Sequence, residues 1–259
     1  MLKDYSRAVA NLRLFLTITL SIFFIIISST SNLEAKSAKK KYWPYRSALL
    51  IEADTGQILK SFQPRIRVIP ASLVKMMTLL ITLEQIKTKS VNIKDIVTTS
   101  RKASRIGGQQ VYLRQGEKFS LEDLLKAVAI SSANDAAYAV AEHIAGDSDI
   151  FVEMMNTRAK QLGMTDTSYV NVHGLPPGRR LPPNMTSARD MAIIARELLK
   201  YPITKRWGKT KHTPFRNGKF TLTNTNRLVG KFRGLDGLKT GSYRKAGYSI
   251  VATAKRGDL

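Results

Sequence analysis

The sequence predicts one α+β domain in which helices pack on an antiparallel β-sheet. Three observations carry that expectation. A hairpin signal opens the patterned part of the chain, several helices with readable start signals follow, and β-rich runs return near the end. Composition agrees: across 259 residues, 43% hydrophobic and 24% charged is ordinary globular chemistry, enough for a sizeable core.

The elements follow in chain order. Ser47–Glu52 (SALLIE) and Gln57–Phe62 (QILKSF) are strand-like runs joined by the turn residues Ala53-Asp54-Thr55-Gly56. Pro70-Ala71 precedes a helix from Ser72 to about Ile86. Its apolar residues (Leu73, Val74, Met76, Met77, Leu79, Leu80) lie all round the axis, so it is expected to be buried on most sides. Ser120 with Asp123 has capping-box spacing ahead of Leu121–Ala129, and a shorter helix covers Ala136–Ala145. Asp147 or Ser148 caps Ile150–Leu162, which Gly163 ends, and Ser187 with Asp190 caps Met191–Leu199. His173–Pro183 is a Gly/Pro-rich loop. Phe220–Thr223, Leu238–Tyr243 and Tyr248–Ala254 are the closing strands, the last after a turn at Arg244–Gly247.

The first 35 residues have the pattern of an export signal. Lys3, Arg7 and Arg13 are followed by the 14-residue apolar run Leu14–Ile27 and by small residues ending at Ala35. About 20 apolar residues are normally needed to cross a bilayer, so a cleaved signal fits better than an uncleaved anchor. Residues 36–46 then read as a basic, proline-punctuated lead-in, with Trp43 a packing anchor, and 47–259 as the folded domain.

Charge and residue usage narrow the chemistry. The chain carries 42 Lys+Arg against 19 Asp+Glu, a net +23. For an exported protein this points to anionic envelope polymers or a membrane surface as neighbours, and not to nucleic acid. There are no cysteines. A disulfide scaffold, a thiol nucleophile and thiolate metal sites are therefore excluded. Three scattered histidines (His143, His173, His212) give no metal-ligand spacing, so a zinc enzyme is not expected. His143 reads as half-buried packing and His173 as a marginal pocket residue.

Ser72 and Lys75 are the first candidates for chemistry. At i and i+3 on a helix they share a face, so the lysine amine reaches the serine hydroxyl. Ser72 lies in the first turn, where free N–H groups favour an oxyanion. On so apolar a helix the lysine should lose its proton easily. Alone, Ser-x-x-Lys is weak and reads as a helix cap beside a snorkelling lysine. Ser132-Ala133-Asn134, at a junction between two helices, can relay a proton and hold an amide, or simply cap both ends. In Lys239-Thr240-Gly241 the strand period puts Lys239 and Gly241 on one face. A glycine there admits a ligand's backbone, and the ammonium and hydroxyl suit a carboxylate. Alone, that segment reads as a turn with a solvated lysine.

The three together, in this order, are the signature of class A β-lactamases and penicillin-binding proteins. IPASLVKMMT, SSANDAAYAVAE, FVEMMNTRAKQLGMTDTSYVNVHGL and GLDGLKTGSYRKAGYSIVATAKR resemble the serine-type D-alanyl-D-alanine carboxypeptidases, the low-molecular-mass penicillin-binding proteins. The resemblance runs from about Ser47 to the C-terminus. It implies a β-lactamase/DD-peptidase-like fold, no cofactor, stem peptides of peptidoglycan as substrate and β-lactams as inhibitors, in the periplasm or cell envelope. It also implies that Ser72 attacks the terminal D-Ala–D-Ala carbonyl with Lys75 as general base, and that Ser132 relays a proton. Asn134 would bind the peptide and hold Lys75. Lys239 and Thr240 would grip the terminal carboxylate beside Gly241, and the N–H groups of Ser72 and Ser242 would form the oxyanion hole.

Two departures stand out. Ser242 occupies a position where family members often carry an aromatic residue or histidine. The chain also stops at Leu259 without a return strand, so the fold is expected to lack its last strand and C-terminal helix, with an inactive remnant as one alternative. A class A β-lactamase would need a deacylating glutamate, and Val172–Met185 holds no acidic residue. A basic polymer-binding protein is the other alternative. It rests on Lys205, Arg206, Lys209, Lys211, Arg216 and Lys219 with Trp207 and Phe215 between them, which otherwise read as a solvated basic loop.

Overall fold

A computed structural model describes residues 44–178, 181–255 and 257. The signal pattern, most of the lead-in and Trp43 lie outside them, and among the described residues no helix is long and apolar enough to cross a membrane. The architecture is α+β, as the order of patterns predicts.

Strands β1 (Ala48–Ile51) and β2 (Ile58–Phe62) form the expected antiparallel hairpin, with Ala48 opposite Phe62. A single 3-10 turn, Ala71–Val74, runs into helix α1 (Lys75–Lys87). Every residue from Lys75 to Leu83 is buried, and α1 touches the four helices that surround it: α2 (Leu121–Ile130), α3 (Asn134–Ala145), α4 (Ser148–Gln161) and α5 (Ala188–Leu199). An all-round apolar helix has no face to give to water, so it takes the centre of the bundle. Each fully buried Leu or Met on it contributes roughly 2 kcal/mol of hydrophobic stabilisation.

The predicted caps are made. Ser120 Oγ accepts from the Asp123 amide at 3.1 Å, Asp147 Oδ1 from the Asp149 amide at 2.7 Å, and Ser187 Oγ from the Asp190 amide at 3.2 Å. Each satisfies an N–H that the helix leaves without an internal partner.

Two differences from the sequence reading concern the sheet and the basic stretch. Among the described residues the strands form four separate two-stranded antiparallel sheets, not one: β1–β2, then β3 (Ile96–Thr98) with β4 (Lys118–Ser120), β5 (His212–Phe215) with β6 (Phe220–Thr223), and β7 (Leu235–Tyr243) with β8 (Gly247–Ala254). Helix α5 contacts both β1 and β8, so the outer hairpins share a support without sharing hydrogen bonds.

The stretch read as a basic loop is ordered as helix α6 (Pro202–Lys209) and the β5–β6 hairpin. Its aromatics explain why. Trp207 is 3% exposed and Phe215 4% exposed, both within the core, while Lys205, Arg206 and Lys209 face outward. Buried rings offer nothing for bases to stack on, which removes the physical basis for single-strand binding. Helix α6 and the 3-10 turn both pack against β7. That packing places the end of the sequence over the start of the central helix.

Candidate active site

Ser72 sits in the 3-10 turn, partly accessible, between buried Ala71 and Leu73. Lys75 is fully buried one turn on. Its Nζ lies 3.0 Å from Ser72 Oγ and donates to the His173 carbonyl at 2.7 Å. Burial lowers the Lys75 pKa well below the ordinary lysine value. The nearby Lys239 charge lowers it further, and Asp135 opposes both. A buried amine with two oxygens in reach and no paired carboxylate holds its proton weakly, as a general base must.

Ser132 lies just past the C-terminal end of α2 with φ of 62°, a left-handed conformation that a serine adopts only when its surroundings impose it. There its Oγ accepts from Lys239 Nζ at 2.8 Å, and Lys239 also donates to the Thr240 carbonyl at 2.9 Å. Burial brings the Lys239 pKa down to about 7. Both lysines of the site are therefore internal, and neither is the solvated or snorkelling residue that each motif alone allowed.

Gly241 shows how closely the two ends of the chain meet. A Cβ built on it would stand 2.5 Å from the Pro70 carbonyl oxygen and 3.0 Å from the Ser72 amide nitrogen. Only a residue without a side chain lets β7 lie against the turn that carries Ser72. Ser242 follows, exposed, opposite Tyr248 in the hairpin.

Asn134 opens α3. Its backbone N–H donates to the Gln109 carbonyl at 2.7 Å and its Nδ2 to the Gly107 carbonyl at 2.8 Å, while its buried Oδ1 has no partner. The expected hold on Lys75 is not made this way, because the Lys75 amine is engaged by Ser72 and the His173 carbonyl instead.

Sequence reasoning missed Asp135, Thr225 and the backbone carbonyl of His173, a residue it kept only as a marginal pocket residue. Asp135, fully buried, accepts from the Val111 and Leu113 amides at 3.0–3.2 Å and so fixes the loop that carries Gly107 and Gln109. His173 acts through its backbone carbonyl. Its ring, with Nδ1 accepting from the Leu175 amide, has its pKa lowered to about 4, first by burial and then by Lys75. Thr225 hydrogen-bonds the Thr240 hydroxyl at 2.8 Å. Only Asp135 carried a readable signal, as a carboxylate beside a motif on a buried helix. The other two are set by tertiary placement. Among the described residues no group of His, Asp or Glu is arranged to hold a metal.

Residues 34–259 match the D-alanyl-D-alanine carboxypeptidase family. The chain is 38% identical over 252 residues to D-alanyl-D-alanine carboxypeptidase DacF of Bacillus subtilis, covering 95% of this chain and 64% of that protein. It is 32% identical over 251 residues to the Escherichia coli carboxypeptidase DacC, covering 92% of this chain and 60% of the relative. The chain thus spans somewhat under two thirds of the length of these curated relatives. Among solved structures, penicillin binding protein 5 of Haemophilus influenzae superposes with a TM-score of 0.76 at 33% identity, covering 82% of this chain and 62% of that one. Penicillin-Binding Protein D2 of Listeria monocytogenes, solved in its ampicillin-bound form, superposes with a TM-score of 0.74 at 28% identity, covering 83% and 86%. Motif order, the convergence of Ser72, Lys75, Ser132 and Lys239 on one small volume, and these likenesses agree, and the chain belongs to the D-alanyl-D-alanine carboxypeptidase family.

Proposed function

We propose that the chain is a serine DD-carboxypeptidase that removes the terminal D-alanine from peptidoglycan stem peptides through an acyl-enzyme on Ser72. The observation that carries this reading is the 3.0 Å contact between Ser72 Oγ and the amine of a fully buried lysine.

In this mechanism neutral Lys75 takes the Ser72 proton as Oγ attacks the penultimate D-alanine carbonyl. General-base help of this kind contributes roughly 10²–10⁴-fold. The tetrahedral oxyanion would be received by the N–H groups of Ser72 and Ser242, each typically worth about 3–4 kcal/mol. The approach of Gly241 to the Ser72 amide supports that placement. Ser132 would relay a proton to the leaving D-alanine nitrogen, giving its own hydrogen as it regains the one that Lys75 took from Ser72. Ser132 Oγ, already accepting from Lys239, has its own hydrogen free to give. Asn134 Oδ1, buried without a partner, supports a contact with a substrate N–H. Lys239 and Thr240 would hold the terminal carboxylate. Hydrolysis of the ester by water completes the turnover, and a β-lactam would acylate the same oxygen.

The signal pattern supports export to the bacterial envelope. The exposed cations Lys205, Arg206, Lys209, Lys211 and Lys219 support an anionic polymer or membrane surface as neighbour. Intact-protein mass spectrometry after incubation with penicillin, with Ser72→Ala alongside, tests the core of the reading. A single adduct on the wild type and none on the variant is expected, together with D-alanine release from a stem pentapeptide. Folded wild-type protein that takes no adduct would overturn it.

A further inference from the structure

Tyr112 combines two features that seldom meet in a large side chain. Its backbone has φ of 58°, in the left-handed region, and the residue is 66% exposed. Among the described residues it is the only aromatic at positive φ, and two of the other non-glycine residues there, Ala71 and Ser132, belong to the active site. A bulky residue stays in that region only when its surroundings impose it, and such strain gathers where a side chain must be aimed. The surroundings that impose it are hydrogen bonds. The buried Asp135 carboxylate accepts from the amides on either side of Tyr112, Val111 at 3.2 Å and Leu113 at 3.0 Å. Arg216 donates to the Val111 and Tyr112 carbonyls at 3.0 Å and 3.1 Å. Val111 and Leu113 are buried in the core, so the residue between them is left facing out. The Tyr112 ring is braced edge-on by Phe220, with 6.3 Å between centres and 72° between planes, and Phe220 stands edge-on to buried Phe215 in turn.

The loop that carries this ring also borders the site. In the carboxypeptidase reading Lys239 and Thr240 hold the terminal carboxylate, Ser72 meets the scissile carbonyl, and Asn134 Oδ1 faces the acyl side of the peptide. The acyl side therefore leaves the site past Asn134. There the Gly107 and Gln109 carbonyls hold Asn134, and a Cβ built on Gly107 would meet nothing within 4 Å, so the rim is open. Tyr112 lies three residues beyond Gln109, a reach of at most about 11 Å along the chain, and is the first exposed hydrophobic side chain past that opening. We propose that Tyr112 is a specificity-determining residue: its ring packs against the aliphatic side chain of the residue that precedes D-Ala–D-Ala, so that the enzyme favours peptides with a long side chain there over peptides with glycine. This inference rests on the carboxypeptidase reading and adds to it a residue outside the three motifs. An aromatic ring buries a large area with few torsions to order, and a backbone fixed in advance removes much of the remaining cost of binding.

The test compares acetyl-L-norleucyl-D-alanyl-D-alanine with acetyl-glycyl-D-alanyl-D-alanine on wild type, Tyr112→Asn and Tyr112→Phe. Norleucine adds a straight aliphatic side chain and no charge, so the pair of peptides reads apolar contact alone. Asparagine removes the ring and tolerates a left-handed backbone, and phenylalanine keeps the ring. Wild type should prefer the norleucyl peptide by on the order of tenfold in kcat/KM, the effect of covering about two methylene groups. The preference should fall to about twofold in Tyr112→Asn and keep its wild-type size in Tyr112→Phe. A preference that survives Tyr112→Asn, or a wild type that shows none, overturns the proposal. So does an equal loss on both peptides, since that is what a displaced loop would give. If Tyr112→Asn lowers the melting temperature, Tyr112→Gly, which accepts positive φ freely, supplies the same comparison. Wild-type protein that releases no D-alanine from either peptide would instead overturn the carboxypeptidase reading, and this proposal with it.

Discussion

Lys239 Nζ and Ser132 Oγ meet at 2.8 Å across 107 residues of chain, inside the protein. That contact puts an ammonium with a pKa of about 7 within reach of Lys75, and the Lys239 charge is one of the causes that lower the Lys75 pKa. With two close amines in one buried site, a proton on one discourages a proton on the other. The arrangement therefore favours a neutral base at Lys75 and a charged group at Lys239.

A bell-shaped pH dependence of kcat/KM follows for acylation by penicillin. The acidic limb reports Lys75 becoming neutral. The basic limb, near pH 7 in the free enzyme, reports Lys239 losing the charge that attracts a carboxylate. Lys239→Arg keeps its charge throughout this range. The variant should lose the basic limb while keeping the acidic one, whatever it loses in absolute rate. A basic limb that survives the substitution would place the titration elsewhere.

The same buried lysine makes stability depend on pH. The Lys239 pKa is about 7 in the folded protein, against 10.5 for an ordinary lysine. Between those values the unfolded chain binds a proton that the folded chain does not. Stability therefore rises as pH rises from 7 to 10.5, at on the order of 1 kcal/mol per pH unit. Urea denaturation at pH 7.5 and 9.5 should show the rise in the wild type and a smaller one in Lys239→Met, where only the buried Lys75 still contributes. Equal slopes in both proteins would mean that Lys239 is charged in the fold.

Gly241→Ala should separate assembly of the site from stability of the fold. The added methyl would stand 2.5 Å from the Pro70 carbonyl oxygen and 3.0 Å from the Ser72 amide, both backbone atoms, so β7 or the 3-10 turn must move. A displacement of about 1 Å at reacting atoms costs on the order of 10²-fold. Penicillin acylation should slow by about that factor, with only a modest loss of melting temperature, since the crowding is confined to the edge of the core. Near wild-type acylation would mean that the turn yields without disturbing Ser72.

How much of this was legible before the structure depended on the range of the forces involved. The caps at Ser120 and Ser187 and the central helix were readable because their causes lie within four residues of each other. The burial of Lys75 was readable from the all-round apolar helix that carries it, whereas nothing in the Lys239 motif signalled that its side chain is buried. Helix α6 was not legible: Lys205, Arg206 and Lys209 dominate its composition, and the burial of Trp207 against β7 that orders it is a long-range fact. The division into four two-stranded sheets was equally hidden, because strand patterns specify faces and turns but not which hairpins join. Thr225 and the His173 carbonyl had no local signal, as their partners lie 15 and 98 residues away.

Arg216 provides the last test, and it concerns how firmly Asn134 is held. Its guanidinium makes a two-pronged contact with Glu117, at 2.8 Å and 2.7 Å, and donates to the Val111 and Tyr112 carbonyls at 3.0 Å and 3.1 Å. It also lies 5.4 Å from the Phe119 ring centre and 5.6 Å from that of Phe215. One side chain thus fastens the β5–β6 hairpin to the loop whose Val111 and Leu113 amides bind Asp135 and whose Gly107 and Gln109 carbonyls bind Asn134. Arg216→Ala removes the clamp and leaves Glu117 partly buried without its partner, which should cost about 2–4 kcal/mol in urea denaturation. Hydrogen bonds from Arg216 are the leading cause of the lowered Glu117 carboxyl pKa. A depressed folded pKa means that the contribution is present above pH 4.5 and is lost as pH falls through the folded value. The stability gap between wild type and Arg216→Ala should therefore be constant near neutrality and narrow as the solution is acidified below pH 4.5. A gap that stays the same at pH 3 and pH 7 would show that the ring contacts and backbone carbonyls, and not the Glu117 charge, account for the clamp.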